Sequence, residues 1–177
     1  MPERTITPLR HYIMSRIRSQ NTTPEVTLRH ALWHRGFRYR INDKRLPGKP
    51  DIVLPKYRAV VFIHGCFWHG HKNCSIFKMP KSNTDYWSTK IARNQERDQE
   101  VWRQLEAQGW AVIVVWECEL KKANLKATIA RVEDEIKRNG ESYLQAQAER
   151  HAAREAYRQE LKERKQREAA AKAELKH

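Results

Sequence analysis

The sequence predicts an α/β fold, a mixed sheet flanked by helices, and three observations carry that expectation. The run Ala111-Val-Ile-Val-Val-Trp116 is apolar throughout, as in a strand covered on both faces. The stretch from Thr84 to Gly109 places Trp87, Ile91, Trp102 and Leu105 on one helical stripe. Shorter apolar runs between turn signals complete the order helix, three strands, helix, strand, which suits a sheet with helices packed on it. Apolar residues make up 40% of the 177, enough to fill one core.

The elements follow in order. A helix is expected over Leu9–Arg18. Thr23-Pro24-Glu25 opens a second, which runs to about Arg35 and stops at Gly36. Phe37–Ile41 reads as a short strand, Leu46-Pro-Gly-Lys-Pro50 as a turn and Asp51–Leu54 as a strand. After a turn at Pro55–Arg58, Ala59–His64 is an apolar strand. Gly65–Ser82 is an 18-residue loop, long enough in a compact domain to need a structural reason. Thr84 opens the long helix that Gly109 ends, Ala111–Trp116 is the last strand, and a helix follows to about Arg138. These elements form one domain over residues 1–139. Residues 140–177 form a charged, alanine-rich helical tail with neither heptads nor repeats, for which a partner-binding helix and an inert extension both stay open.

The chain carries 35 Lys and Arg against 21 Asp and Glu, a net +14 and a pI near 10.0. That balance points to a polyanionic partner, most often nucleic acid. Residues 1–50 hold 11 basic and 3 acidic residues, whereas 140–177 hold 9 and 7, so the footprint falls in the front of the chain. No apolar run approaches membrane-spanning length and the N-terminus has no apolar stretch of signal-peptide length, which predicts a cytoplasmic protein with no membrane partner. Three cysteines, an odd count, argue against a secreted disulfide scaffold.

Segment 66–74 reads Cys-Phe-Trp-His-Gly-His-Lys-Asn-Cys, and the third cysteine is Cys118. Cys66, His71, Cys74 and Cys118 offer three thiolates and one imidazole, a set suited to tetrahedral structural zinc. His64 and His69 compete with His71 for the fourth place, and spacing alone does not decide among them. A second set is acidic. Asp51 stands where a turn enters a strand, and a carboxylate there can hold Mg2+ against a phosphate. Asp98 falls on the apolar stripe of the long helix, and Glu25 shares a face with Leu28 and Leu32. An acid on an inward face is paired or ligated, so a buried salt bridge is the competing account for each. A histidine such as His64 or His69 can deprotonate a water. Phe67 and Trp68 point opposite ways on an extended segment and, with Trp87, suit either loop packing or insertion into a base step.

The blocks Leu46-Pro-Gly-Lys-Pro-Asp51-Ile-Val and His64-Gly-Cys-Phe-Trp-His69, with Lys90-Ile91, Asn94, Glu96-Arg97-Asp98 and Val115-Trp-Glu-Cys118, closely resemble the very short patch repair (Vsr) DNA mismatch endonucleases over roughly residues 9–120. The resemblance implies a restriction-endonuclease-like core. It also implies an enzyme that nicks one strand on the 5′ side of the mispaired T in a T:G mismatch, the lesion left when 5-methylcytosine deaminates. It further implies Mg2+ on Asp51 and on the backbone carbonyl of Ile63, His69 as the general base, and Glu25, His64 and Asp98 in support. Phe67, Trp68, Trp87 and Met14 would enter the duplex, and Cys66, His71, Cys74 and Cys118 would hold structural zinc. Position 63 is Ile where the family carries Thr, and the step from His71 to Cys74 is one residue longer. The partners implied are mismatched double-stranded DNA and the general mismatch-repair proteins, with the enzyme a monomer. The rivals are a restriction endonuclease of the same superfamily and a non-catalytic zinc DNA-binding module.

Overall fold

The computed structural model describes residues 20–174, with side chains to Glu168. The expected helix at Leu9–Arg18, and Met14 with it, lies outside the described residues. Helix α1 spans Thr23–His34, β1 Ile52–Leu54, β2 Ala59–His64, α2 Thr84–Ala107, β3 Ala111–Trp116 and α3 Leu125–Glu174, with a 3-10 turn at Pro55–Tyr57. The sheet is mixed, in the order β1-β2-β3. β1 runs antiparallel to β2, with Ile52 opposite Val61, and β2 runs parallel to β3, with His64 opposite Trp116. The expected α/β architecture of a mixed sheet among helices is present.

Both glycine stops act through the same device. After α1, Gly36 takes φ +85°, Phe37 N–H donates to Leu32 O (3.1 Å) and Gly36 N–H to Trp33 O (3.0 Å). After α2, Gly109 takes φ +77° with matching bonds from Trp110 to Leu105 and from Gly109 to Glu106. These paired bonds satisfy the last helical carbonyls and need a residue at ease with positive φ.

Strand parity sorts the core. Ile52, Leu54, Ala59, Val61, Ile113 and Val115 face α1 and α3, packing with Leu28, Leu32, Val132 and Ile136. Val53, Val60 and Phe62 face α2, packing with Leu105 and Trp110. His64, two residues beyond Phe62, therefore turns toward α2, and Asp51, two before Val53, turns the same way.

Three expectations are corrected. Phe37–Ile41 is not a strand, and only Arg40 bridges to Val53. β1 is three residues long and gives Ile52 and Leu54 to β2, so Val53 alone is left to pair outward. β3 is fully covered on one face, at Ile113 and Val115, while Val112 and Val114 on the other stay half-buried. The helix expected to end near Arg138 and the tail helix are one continuous 50-residue helix, about 75 Å long. Its buried positions run from Thr128 to Gly140, and from Ala148 to Glu168 every residue is exposed.

Candidate active site

The C-terminal end of β2, the start of β1, the first turn of α1 and the middle of α2 enclose a cleft of about 890 Å3. Its lining includes Glu25, Asp51, Ile63, His64, Trp68, His69, Asp98 and Trp102, with Lys44, Lys49 and Arg97 supplying positive charge. Every acid and histidine singled out in the sequence for the acidic set reaches this cleft.

Asp51 sits against the last turn of the ladder. The register that pairs Ile52 with Val61 sets position 50 opposite Ile63, and position 50 is a proline with no N–H to give. The Ile63 N–H instead donates to Asp51 Oδ2 at 2.7 Å. The Ile63 carbonyl thus meets no ladder donor on that side. Burial pushes the Asp51 carboxyl up to about 6, against the Ile63 N–H and with help from the neighbouring Glu25 charge.

Glu25 follows the salt-bridge account. Arg29 donates to it at 2.9 Å, one turn along the helix, and both side chains are buried. Asn21 N–H (3.0 Å) and Thr22 Oγ1 (2.8 Å) also donate to its carboxylate, which ties the segment before α1 to the first turn of the helix. Arg29 also reaches Asp51 O at 3.3 Å, which couples the helix start to the strand start. Arg29 itself was not foreseen, although an Arg four residues after an inward Glu was a readable signal.

Asp98 holds the histidines. His69 Nδ1 bonds Asp98 Oδ2, and His64 Nδ1 lies 4.0 Å from the same oxygen. The two imidazoles stack at 3.7 Å and 15°. Burial, seconded by the adjacent His69, pushes His64 down to about 4, so it is neutral at physiological pH. Burial would raise Asp98, but the His69 bond and the nearby His64 outweigh it and hold the acid below its ordinary range. Asp98 thus stays charged and fixes the His69 tautomer, with Nδ1–H donating and Nε2 left to accept. Arg97 closes the other Asp98 oxygen at 3.3 Å.

The zinc-type set also forms. Cys66, His71, Cys74 and Cys118 place their donor atoms within 4.8 Å of one another. His71 Nδ1 lies 3.4 Å from both Cys66 Sγ and Cys118 Sγ. A tetrahedron with metal–sulfur bonds of about 2.3 Å and metal–nitrogen bonds of about 2.05 Å has an edge of about 3.6 Å, so the donors fit a zinc-sized ion. Burial raises the Cys66 and Cys118 thiols, whereas backbone N–H groups of Ile76 and Phe77 overcome burial and lower Cys74. The structure resolves the competition among histidines: His71 joins the cysteines, stacked on Trp116 at 4.0 Å, while His64 and His69 go with Asp98.

The loop between the two sets is bolted to α2. Asn94 donates to Trp68 O (2.9 Å) and Gln95 to His69 O (3.0 Å). Gly70, at φ +61°, lets this approach happen, since a Cβ there would come within 2.7 Å of Ile91 and Gln95. Residues 66–70 form turns rather than an extended segment. Phe67 and Trp68 consequently reach one aromatic cluster with Trp87, at ring separations of 5.2 to 6.0 Å, instead of pointing apart. All three are half-buried.

The family model described as DNA mismatch endonuclease Vsr matches residues 6–75. The type II nicking enzyme V.NmeAIP of Neisseria meningitidis is 55% identical over 132 residues, 74% of this chain and 94% of that protein. V.XorIIP of Xanthomonas oryzae, also a type II nicking enzyme, is 50% identical over 75% and 95%. The DNA mismatch endonuclease Vsr of Escherichia coli is 41% identical over 73% and 84%. The chain belongs to the Vsr DNA mismatch endonuclease family.

As a Vsr-type DNA endonuclease it is a hydrolase whose partner is DNA, which accounts for the cationic rim of the cleft. Membership in the Vsr family also makes a divalent cation the expected companion of the acidic cleft, and the Cys/His set is a separate group of donors that could hold a metal ion. Among the described residues no helix is long and apolar enough to cross a membrane.

Proposed function

We propose that the protein nicks duplex DNA on the 5′ side of the mispaired T of a T:G mismatch, on a restriction-endonuclease-like core, with Mg2+ in the cleft and structural zinc on Cys66, His71, Cys74 and Cys118. The observation that carries this is the convergence of Asp51, the unmatched Ile63 carbonyl and the Asp98-bound His69 on one cleft.

Asp51 and the Ile63 carbonyl offer oxygen donors, which hard cations prefer. Bound there, Mg2+ would supply charge neutralisation at the scissile phosphate and the departing oxygen. His69 Nε2 takes the proton of the attacking water as its oxygen bonds to phosphorus, and the bond from phosphorus to the leaving oxygen breaks. Asp98 steadies the imidazolium that results. Neutral His64, stacked on His69, keeps that ring in plane without competing for the proton. Glu25, clasped by Arg29, fixes the helix start against Asp51. Phe67, Trp68 and Trp87 present one aromatic wedge to the duplex. Such wedges unstack a base step, which is easiest where pairing is already weak. The type II nicking enzymes among the relatives support single-strand cleavage.

The test is a nicking assay on a labelled duplex with one T:G mismatch in a CTWGG-type context, beside its C:G control, with Mg2+ and with EDTA. A Mg2+-dependent nick 5′ to the T, absent from the control, is expected. Cleavage of both strands of the control points to a restriction enzyme instead, and tight binding without cleavage points to a binding module.

A further inference from the structure

Past Gly140, α3 leaves the body and carries a pattern that its modest net charge conceals. At about 100° per residue, Arg150, Arg154, Arg158, Lys162 and Lys165 fall within an arc of about 120°, which Glu168 shares and Glu155 borders, while Glu149, Glu160 and Glu163 lie on the opposite side with Arg167. Arg150, Arg154, Arg158 and Lys162 form an unbroken i,i+4 row of one sign, an arrangement that destabilises a free helix. Among the described residues none of the four has a carboxylate within ion-pair distance. The same stretch does pair His151 with Glu155 (3.5 Å) and Arg164 with Glu168 (2.9 Å). A helix kept merely soluble interleaves its charges as those pairs do, whereas a one-signed row calls for an outside anion.

Position narrows the partner. α3 starts beside the Cys118 end of the sheet and runs back along it, until Asn139 donates to Tyr57 O (2.6 Å) and Arg58 O (3.2 Å). Gly140 is pressed on the Tyr57 ring, which a Cβ would meet at 2.6 Å. That is the end of the sheet opposite Asp51 and His64. Arg150 and Lys162 lie about 15 and 33 Å farther along, beyond a strand of about 20 Å, so the row stands roughly 35 to 50 Å from the cleft. The arc that seats Ile129, Val132, Ile136 and Gly140 on the body is the arc on which the basic row follows. The row therefore continues past the far end of the body, on the side of α3 that packs against it. A duplex seated in the cleft is too stiff to turn back to it. About a quarter of this chain also lies outside the match to V.NmeAIP, although 94% of that relative is covered.

We propose that this row binds the phosphate backbone of a second stretch of duplex DNA, separate from the one in the cleft, so that one chain holds two segments at once. The proposal rests on the chain acting on DNA and is independent of mismatch specificity. Its test uses the full chain and a fully matched 16-base-pair duplex in excess at low salt, with the mass of the complex counting chains and duplexes. One chain with two duplexes is expected. The variant R150Q/R154Q/R158Q/K162Q, whose glutamines keep helix propensity, should give one chain with one duplex and lose second-duplex affinity by about tenfold or more. The second binding step should fall with salt at a log–log slope of about −3 to −4, as four phosphate contacts require. Helix content by circular dichroism and the nicking rate should not change. A one-to-one complex from the parent overturns the proposal, including the case where the variant loses affinity for that single duplex, which would place the row on the flank of the cleaved DNA. An unchanged one-to-two complex from the variant overturns it equally.

Discussion

The four donors Cys66, His71, Cys74 and Cys118 close on one another, whereas His64, His69, Asp98 and, near them, Asp51 line an open cleft, although a single loop links the two sets. The soft set is fed by a strand end, a turn and the start of a second strand-to-helix connection, and its donors satisfy one another. The oxygen and imidazole set is fed by two strand ends, a turn and a helix middle, and its members line an open cleft. The first set can only hold the backbone; the second can meet a substrate. The difference teaches that the loop from Gly65 has two jobs of unequal kind, one of stability and one of chemistry, and substitutions should separate them.

The largest effect should come from the closed set. Cys118→Ser removes one of its four donors, and structural zinc contributes folding free energy outright. A loss of several kcal/mol lowers the melting temperature of a chain this size by about 10 °C or more. Thermal unfolding followed by circular dichroism measures it, and a melting curve that does not move removes the structural role.

Next is the open set. Asp51→Asn keeps the shape and the Ile63 N–H partner but gives up the charge. Nicking should fall about 10³-fold, since electrophilic stabilisation of a phosphate by a cation is worth several kcal/mol. Affinity for the duplex should stay within about threefold, and at neutral pH the variant should melt no lower than the parent, since burial already disfavours the Asp51 charge. Retained nicking would deny Asp51 its cation, and a collapse of stability would make the two sets one.

Both sets were largely legible in the sequence, for a physical reason. Asp98 betrayed itself by interrupting an apolar stripe, and Glu25 did so by sharing a face with Leu28 and Leu32. Burial of a charge is rare enough to be a signal. The choice of His71 over His64 and His69 was not legible, because an irregular loop has no period from which to read direction. For the same reason Phe67 and Trp68 were expected to point apart, and the turns at 66–70 bring them together. The missing strand at Phe37–Ile41 fails through its neighbour, since a three-residue β1 leaves one outward pairing site. The basic row on α3 escaped a count of charges because segregation is a property of the helix surface, not of composition.

The smallest effect sharpens the comparison inside the open set itself. Asp51 is raised to about 6 by burial, so without Mg2+ the native chain holds this proton more tightly than the unfolded chain does. Its contribution to stability is present below about pH 4 and is lost as pH rises through about 6. His64 is lowered to about 4 by burial, so its contribution has the opposite sense, present above about pH 6.5 and lost as pH falls through about 4. Between pH 4 and 6 the two oppose each other, each by about 3 kcal/mol at most, and the parent should show a nearly flat melting temperature in Mg2+-free buffer. Asp51→Asn removes one of the opposing slopes, so its melting temperature should climb with pH across the same window while the parent's does not. The Mg2+ concentration that half-saturates nicking should likewise rise up to about tenfold for each pH unit below 6, because the cation competes with a proton for the Asp51 carboxylate. Equal pH slopes for parent and variant, or a half-saturation indifferent to pH, would show that Asp51 titrates as an ordinary exposed acid and would move the cation elsewhere in the cleft.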